Sequence, residues 1–466
     1  MKNKLFYLIG VASILCYTST FTSCINGVDD EYLELTGSCN GGGTGNEDED
    51  SENFDGEYIT DGDYDLKMTY NGYELNGKKV AFTLNEDKES ATITMTGAEF
   101  DLKSLAALFE GMDGKFTTYS PIPGEKEILL KNVKAEITGS TCKFEGEDIR
   151  PDRIFNFKGE ITDGKMNIDI QHKLARENNE LLGKWKMGEA KEGLSITMIQ
   201  NVNNSNNDPS KSSPLWLDWG STANVNMGDV NTGIDIVKTV NVNRPMTGIF
   251  NLLMSNLVSP QIGTLIGMPD GVEKSIPKLI EFIVTEETGG MYASYSWNGT
   301  TDPQYSQDMS HNIVRYYYDK EDQLRIEVDA DFFLNTIGGL IAGTSTRATT
   351  RGALPGTAIA IGQKIIDRLR PALEQGFPCE YTIENNNLII NLDGQFLLEI
   401  MRLVDELVND EFAKTYIDDE IDKIGDYAPN VKLLLQNMGN ALGEDCTGIK
   451  LGLRLVKMEE TPEVVE

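Results

Sequence analysis

Histidine is almost missing: His172 and His311 are the two in 466 residues. They stand far apart and outside any paired ligand motif, which argues against a histidine-based zinc centre. Basic residues are scarce relative to acidic ones, 41 Lys and Arg against 74 Asp and Glu, for a formal charge of -33. Such a field repels phosphate backbones, so nucleic acid is set aside as a partner. Long apolar runs are missing as well. Beyond the first two dozen residues the best stretch is Ile249 to Val258, stopped at Pro260, well short of the roughly eighteen apolar residues a spanning helix needs. There is no Gly-Lys-Ser/Thr phosphate loop, no dinucleotide fingerprint and no Gly-x-Ser-x-Gly elbow, so no cofactor is implied. Ser310-His311 with Asp308 makes a poor triad, because sequence neighbours do not face one another as a triad requires.

What is present begins at the N-terminus. Met1-Lys2-Asn3-Lys4 is basic, and Leu5 to Cys16 is an apolar stretch of signal-peptide length. Phe21-Thr22-Ser23-Cys24 resembles a lipobox, with small residues before the cysteine and Phe21 where an aliphatic residue is usual. The resemblance implies a signal peptide over residues 1–23 and diacylglycerol on Cys24. Cys16 is a poor alternative because Leu15 precedes it. Several acyl chains on one cysteine anchor effectively for good, so contact with a membrane is expected through that lipid only. Residues 24–53 include Gly41-Gly42-Gly43 and Glu47-Asp48-Glu49-Asp50; with little to bury, they are expected to be a disordered acidic tether, as residues 458–466 are expected to be an acidic tail. An acidic cluster after a lipidated cysteine resembles the surface-export signal of Bacteroidota lipoproteins and implies the outer face of the outer membrane. A merely soluble, extended tether is the alternative.

Short alternating strands fill residues 54–182. Val80, Phe82 and Leu84 alternate with polar residues, as do Met166, Ile168 and Ile170, and Asn71-Gly72, Asn76-Gly77 and Asp163-Gly164 supply hairpin turns. One helix is expected near Leu102 to Phe109. Residues 183–457 mix hairpins at Phe282 to Trp297, Ile313 to Val328 and Glu380 to Leu392 with helices over Phe396 to Leu407, Phe412 to Ile424 and Val431 to Leu442, and close on a strand at Ile449 to Val456. Leu324–Leu334 aligns without gaps on Leu388–Leu398, each a strand feeding a helix, through common origin or convergent capping.

Gly56-Glu57-Tyr58 and Gly183-Lys184-Trp185 open the two β-rich stretches. Here the sequence resembles lipocalins and the wider calycin class, whose Gly-x-Trp packs its ring across one barrel end against a basic residue on the last strand. The resemblance gives Arg454 that role. It implies a mainly β fold with inserted α-helices: two antiparallel calycin-like β-barrel units, the second elaborated with helices, as in lipoprotein families of Bacteroidota.

Candidate chemistry is thin. His172 follows Met166, Ile168 and Ile170 at strand spacing, so it reads as a core or rim histidine, or else as a ligand contact inside a barrel. Trp216, Trp219, Tyr295, Trp297 and Tyr305 concentrate in the second half and could stack on a sugar, with core packing as the competing reading for half of them. Asp329, Asp331 and Asp393 could be paired acids of a glycoside hydrolase, but they recur where strands enter helices, where N-capping explains them. Asp61-Gly62-Asp63-Tyr64-Asp65 lacks the Gly and the terminal Glu of a calcium loop, so no metal is expected. The compartment permits disulfides; a staple from Cys379 to Cys446 fits the strand order, with two buried thiols as the alternative, and Cys39 and Cys142 have no evident reason to meet. These readings combine into a lipid-anchored binding or interaction protein for a small apolar ligand or a carbohydrate. A paired-carboxylate hydrolase and an accessory subunit of a surface complex are the alternatives.

Overall fold

The computed structural model describes residues 54–59, 65–101, 115–175, 179–187, 215–234, 237–249, 278–296, 312–320, 323–330, 356–422 and 428–458. The expected signal, lipobox and tether, the helix at Leu102 to Phe109, Asp331 and the residues around His311 lie outside them. The protein is mainly β, with few helices, and divides into two compact units. The smaller takes its described residues from Cys24–Ala98 and Ser120–Ala175; the larger draws on Glu99–Tyr119 and Arg176–Glu466.

The smaller unit is a closed barrel. Its strands are β1 (Gly56–Ile59), β2 (Asp65–Tyr70), β3 (Tyr73–Glu74), β4 (Lys78–Leu84) and β5 (Ser90–Gly97). An excursion follows, β6 (Glu99–Asp101) and β7 (Lys115–Thr117), which belongs to the larger unit. Then come β8 (Glu127–Thr138), β9 (Thr141–Arg150), β10 (Arg153–Thr162) and β11 (Lys165–Leu174). The ring runs β1-β4-β5-β8-β9-β10-β11-β2 and closes where Ile59 meets Asp65, with β3 appended to β2. β2 runs parallel to both β11 and β1, while the other ring pairs are antiparallel.

The expected turns form because Asn and Gly tolerate positive φ: Asn71 and Gly72 stand at 52° and 87°, Asp163 and Gly164 at 51° and 73°. Inward residues fill the barrel with Tyr58, Tyr70, Phe82, Ile93, Met95, Phe144, Phe155, Phe157 and Ile170, all buried. Closure needs sharp coiling, which the cross-strand pairs Phe157–Gly146 and Gly159–Phe144 allow. Each ring lies on the facing glycine, and a Cβ on Gly159 would stand 2.2 Å from Phe144 Cζ.

The larger unit contains a curled sheet built from β12 (Gly183–Met187), β13 (Leu215–Trp219), β16 (Lys278–Thr285), β17 (Gly290–Ser296), β18 (Val314–Tyr318), β19 (Gln323–Val328), β20 (Phe377–Glu384), β21 (Asn387–Leu392) and β22 (Ile449–Lys457). Between β13 and β16 the chain forms a separate two-stranded ribbon, β14 (Asn224–Ile234) and β15 (Val237–Pro245). The order is β12-β16-β17-β18-β19-β20-β21-β22-β13, antiparallel throughout, and β12 also pairs with β22, so the first strand meets the last. One face carries Trp185, Tyr316, Leu324, Ile326, Phe377, Leu388, Ile390, Leu392, Leu451, Leu453 and Leu455, all buried.

Among the described residues this unit has the α-helices α1 (Gly356–Gln375), α2 (Gly394–Asn409), α3 (Glu411–Asp422) and α4 (Ala428–Met438). The helices after β21 lie close to where three-and-four spacing places them. α2 starts at Asp393, whose carboxylate accepts from the backbone N–H groups of Gln395 and Phe396 at 3.0 and 2.9 Å. That cap is worth about 1 kcal/mol. Leu403, Leu407 and Ala413 then pack with Ile361, Ile365 and Ile417 to join α1, α2 and α3.

The opposite face of β18 and β19 carries a cross-strand ion pair. Arg315 Nη2 lies 2.9 Å from Glu327 Oε2, with 5% of each side chain exposed. Beside it Tyr317 donates to Gln375 O, Arg325 to Gly376 O, and Arg370 to Lys115 O in β7. Burial, then the nearby Glu327 carboxylate, pushes the Tyr317 phenol up to about 12. Burial also raises Tyr119, next to Tyr317.

Candidate functional site

The two Gly-x-aromatic echoes occupy equivalent places. Tyr58 and Trp185 each sit on the first strand of their sheet, fully buried, and each polar atom reaches back four residues: Tyr58 Oη donates to Phe54 O and Trp185 Nε1 to Leu181 O, both at 2.8 Å. A cation does cover Trp185 from the last strand, but it is Lys457, whose Nζ stands 5.4 Å from the ring centroid. Arg454 does not take that role. It alternates away from Leu451, Leu453 and Leu455 and so lies on the other face of β22.

The expected contact residues do not converge. His172 is buried in the barrel with its Nδ1 2.6 Å from Tyr70 Oη, a hydrogen-bonded core histidine. Trp216, 7% exposed, lies across Gly452, where a Cβ would stand 2.2 Å from its Cε2. Trp219, 3% exposed, donates to Ala441 O at 2.7 Å. Neither indole is presented for sugar stacking; both are core. Tyr295 lies on β17, with its side chain outside the described part, and Trp297 and Tyr305 lie outside the described residues altogether. Cys379 and Cys446 are buried thiols and form no disulfide, Cys446 contacting Gly448 O at 3.7 Å. Asp393 is occupied as the α2 cap. Among the described residues no cluster of His, Cys, Asp and Glu is set to hold a metal, and no helix is long and apolar enough to cross a membrane.

A groove of about 540 Å³ crosses the outer face of the barrel over β2 and β8 to β11. Its charges neutralise one another: Lys134 with Glu136 at 2.6 Å, Lys143 with Glu160 at 3.4 Å, Lys158 with Asp169 at 3.8 Å. Exposed pairs of this kind are screened by water and add little to stability. The groove is a solvated sheet face.

The larger unit is organised differently at its two ends. Because neighbouring strands are antiparallel, connections alternate between ends of the sheet. At one end they are tight: 286–289, 319–322 and 385–386. Asn385 and Asn386 take φ of 50° and 62° there. At the other end the connections are long, 220–277, 297–313, 329–376 and 393–448, and these carry the ribbon and helices α1 to α4. Sheet proteins place recognition on such elaborated ends, because a rigid scaffold holds variable connections there. The ribbon was not foreseen, and its regular alternation of Asn with Val is the signal that marks it. No family model, curated protein or solved structure matches the chain.

Proposed function

We propose that the protein is a lipid-anchored extracytoplasmic binding protein with two calycin-like units, which engages its ligand, a small apolar molecule or a carbohydrate, at the elaborated end of the larger unit. One observation carries this reading: four long connections of the curled sheet, 220–277, 297–313, 329–376 and 393–448, leave from the same end. The pairing of β12 with β22, and the Trp185–Lys457 contact at the tight end, support the calycin-like part. A ligand inside the smaller barrel is disfavoured, because its own aromatic side chains fill that space. The hydrolase alternative loses Asp393 to helix capping.

Anchoring is tested by feeding cells a fatty-acid label. Wild-type protein takes it up and the Cys24→Ser variant does not; equal labelling of both overturns the anchor. Binding is tested by presenting the purified mature protein to panels of fatty acids and of glycans. Retention on either panel supports the reading, and retention on neither leaves only an accessory structural role.

A further inference from the structure

The ribbon of β14 and β15 has two unlike faces. Its register pairs Asn224 with Pro245, Asn226 with Asn243 and Asp229 with Asn241, which puts these on one face together with Thr239, two residues before Asn241. Asn224, Asn226, Asp229, Thr239, Asn241 and Asn243 are exposed. The other face carries Val225, Met227 and Val242, all buried, and α4 packs there.

This arrangement opposes intrinsic preference. Asn is a poor strand former, and Thr or Lys would hold an exposed ribbon better. The phase of the face is also built rather than given. An unbroken alternation from Asn226 would turn Asp229 toward α4; a bulge at Gly228, with φ of +73°, inserts the extra residue that turns it outward. α4 holds the bulge. Asn430, buried, donates its amide to Met227 O and Asp229 O at 2.8 and 2.9 Å, and Asn437 donates to Asn226 O at 3.0 Å.

We propose that the exposed amide face of this ribbon binds a neutral, hydroxyl-rich chain, a carbohydrate. The proposal rests on the binding-protein reading above and names its ligand class and surface. An Asn amide carries two donors and an acceptor, the complement of sugar hydroxyls, which both donate and accept; on this face Asn226 Oδ1 already accepts from Gly228 N–H at 2.8 Å. The face carries a single carboxylate, Asp229, which accepts from Asn241 at 2.9 Å, so it is low in charge for a chain of charge -33. Arg244 is in register with Val225, on the opposite face, so an anionic ligand has no cation to meet among these paired residues. An apolar ligand has no surface to cover.

The test is affinity electrophoresis of the mature protein through gels containing a neutral glucan, a mannan or a galactan, at low and high salt. The wild type is expected to be retarded by at least one polysaccharide, equally at both salt levels. Asn224→Thr/Asn241→Thr/Asn243→Thr uses a better strand former at exposed positions, so it is expected to keep the melting temperature and lose affinity about tenfold or more. Asn430→Ala keeps every exposed amide but frees the bulge, and it too is expected to weaken binding. Retardation of the triple variant equal to wild type overturns the ribbon as the site while leaving a glycan-binding protein. Migration of the wild type unaffected by all three polysaccharides overturns the carbohydrate proposal, and the fatty-acid panel then decides the broader reading. Retention lost at high salt overturns neutral recognition.

Discussion

Removing one partner of the Arg315–Glu327 pair should damage the larger unit far more than removing both. In Glu327→Leu the Arg315 guanidinium, 4% exposed, keeps its charge and loses the carboxylate 2.9 Å away. Breaking a buried ion pair by removing one partner costs about 3–5 kcal/mol, a large part of the roughly 5–15 kcal/mol that holds a domain together. Arg315→Met/Glu327→Leu removes the desolvation cost along with the attraction, and pairs of this kind replaced by apolar residues are neutral or more stable by about 1–4 kcal/mol. The protein offers a selective reporter. Its four tryptophans, Trp185, Trp216, Trp219 and Trp297, all fall in the larger unit, so urea unfolding followed by indole emission reads that unit alone. The single variant should shift the midpoint strongly downward and the double variant should recover it. A loss under about 1 kcal/mol in Glu327→Leu would refute the reasoning, because it would mean that water reaches Arg315.

In the barrel, Gly159→Val should destabilise by about 1–3 kcal/mol through collision with the Phe144 ring, and Phe144→Leu in the same chain should restore part of the loss in calorimetry. The Cys142 thiol is pushed up to about 11 by burial. Cys142, Cys379 and Cys446 are all buried, so in a mature Cys24→Ser/Cys39→Ser background they should ignore a disulfide reagent at neutral pH and react together once denatured. Raised phenols at Tyr119 and Tyr317 stay protonated in the folded state after unfolded tyrosine ionises near pH ~10. Their contribution is thus complete below about pH 10 and declines as pH rises toward 12, which phenolate absorbance and indole emission followed together would show.

Turns were the most legible part of the sequence. Asn71-Gly72, Asp163-Gly164 and Asn385-Asn386 announce hairpins because positive φ is a demand on single residues, met locally. α2 was legible for a similar reason, since its apolar spacing and Asp393 both belong to one short segment. What depends on distant partners was not. That β2 inserts between β11 and β1 follows from pairing, which no local pattern records. α1 was hidden by Gly362 and Pro371, residues that argue against a helix until packing of Ile361 and Ile365 on α2 and α3 overrides them. The cation over Trp185 was within reach of sequence: in Leu451-Gly452-Leu453-Arg454-Leu455, the leucines set the inward phase, and Lys457 shares it while Arg454 does not. Trp216 and Trp219 were misleading because an aromatic residue looks the same in sequence whether its ring meets solvent or Gly452.

The two sheets take their closing strand from opposite parts of their sequence. The barrel uses β2, which follows β1 at once, so by Leu174 every strand of the ring has been made. The curled sheet uses β22, which alone pairs with β12, β13 and β21. A chain that stops between Leu174 and Ile449 therefore has a complete barrel but a sheet with a missing stave and an open seam. Unpaired strand edges of that sort invite aggregation and proteolysis. The curled sheet is thus held shut by the last of its strands to be made, the barrel by its second.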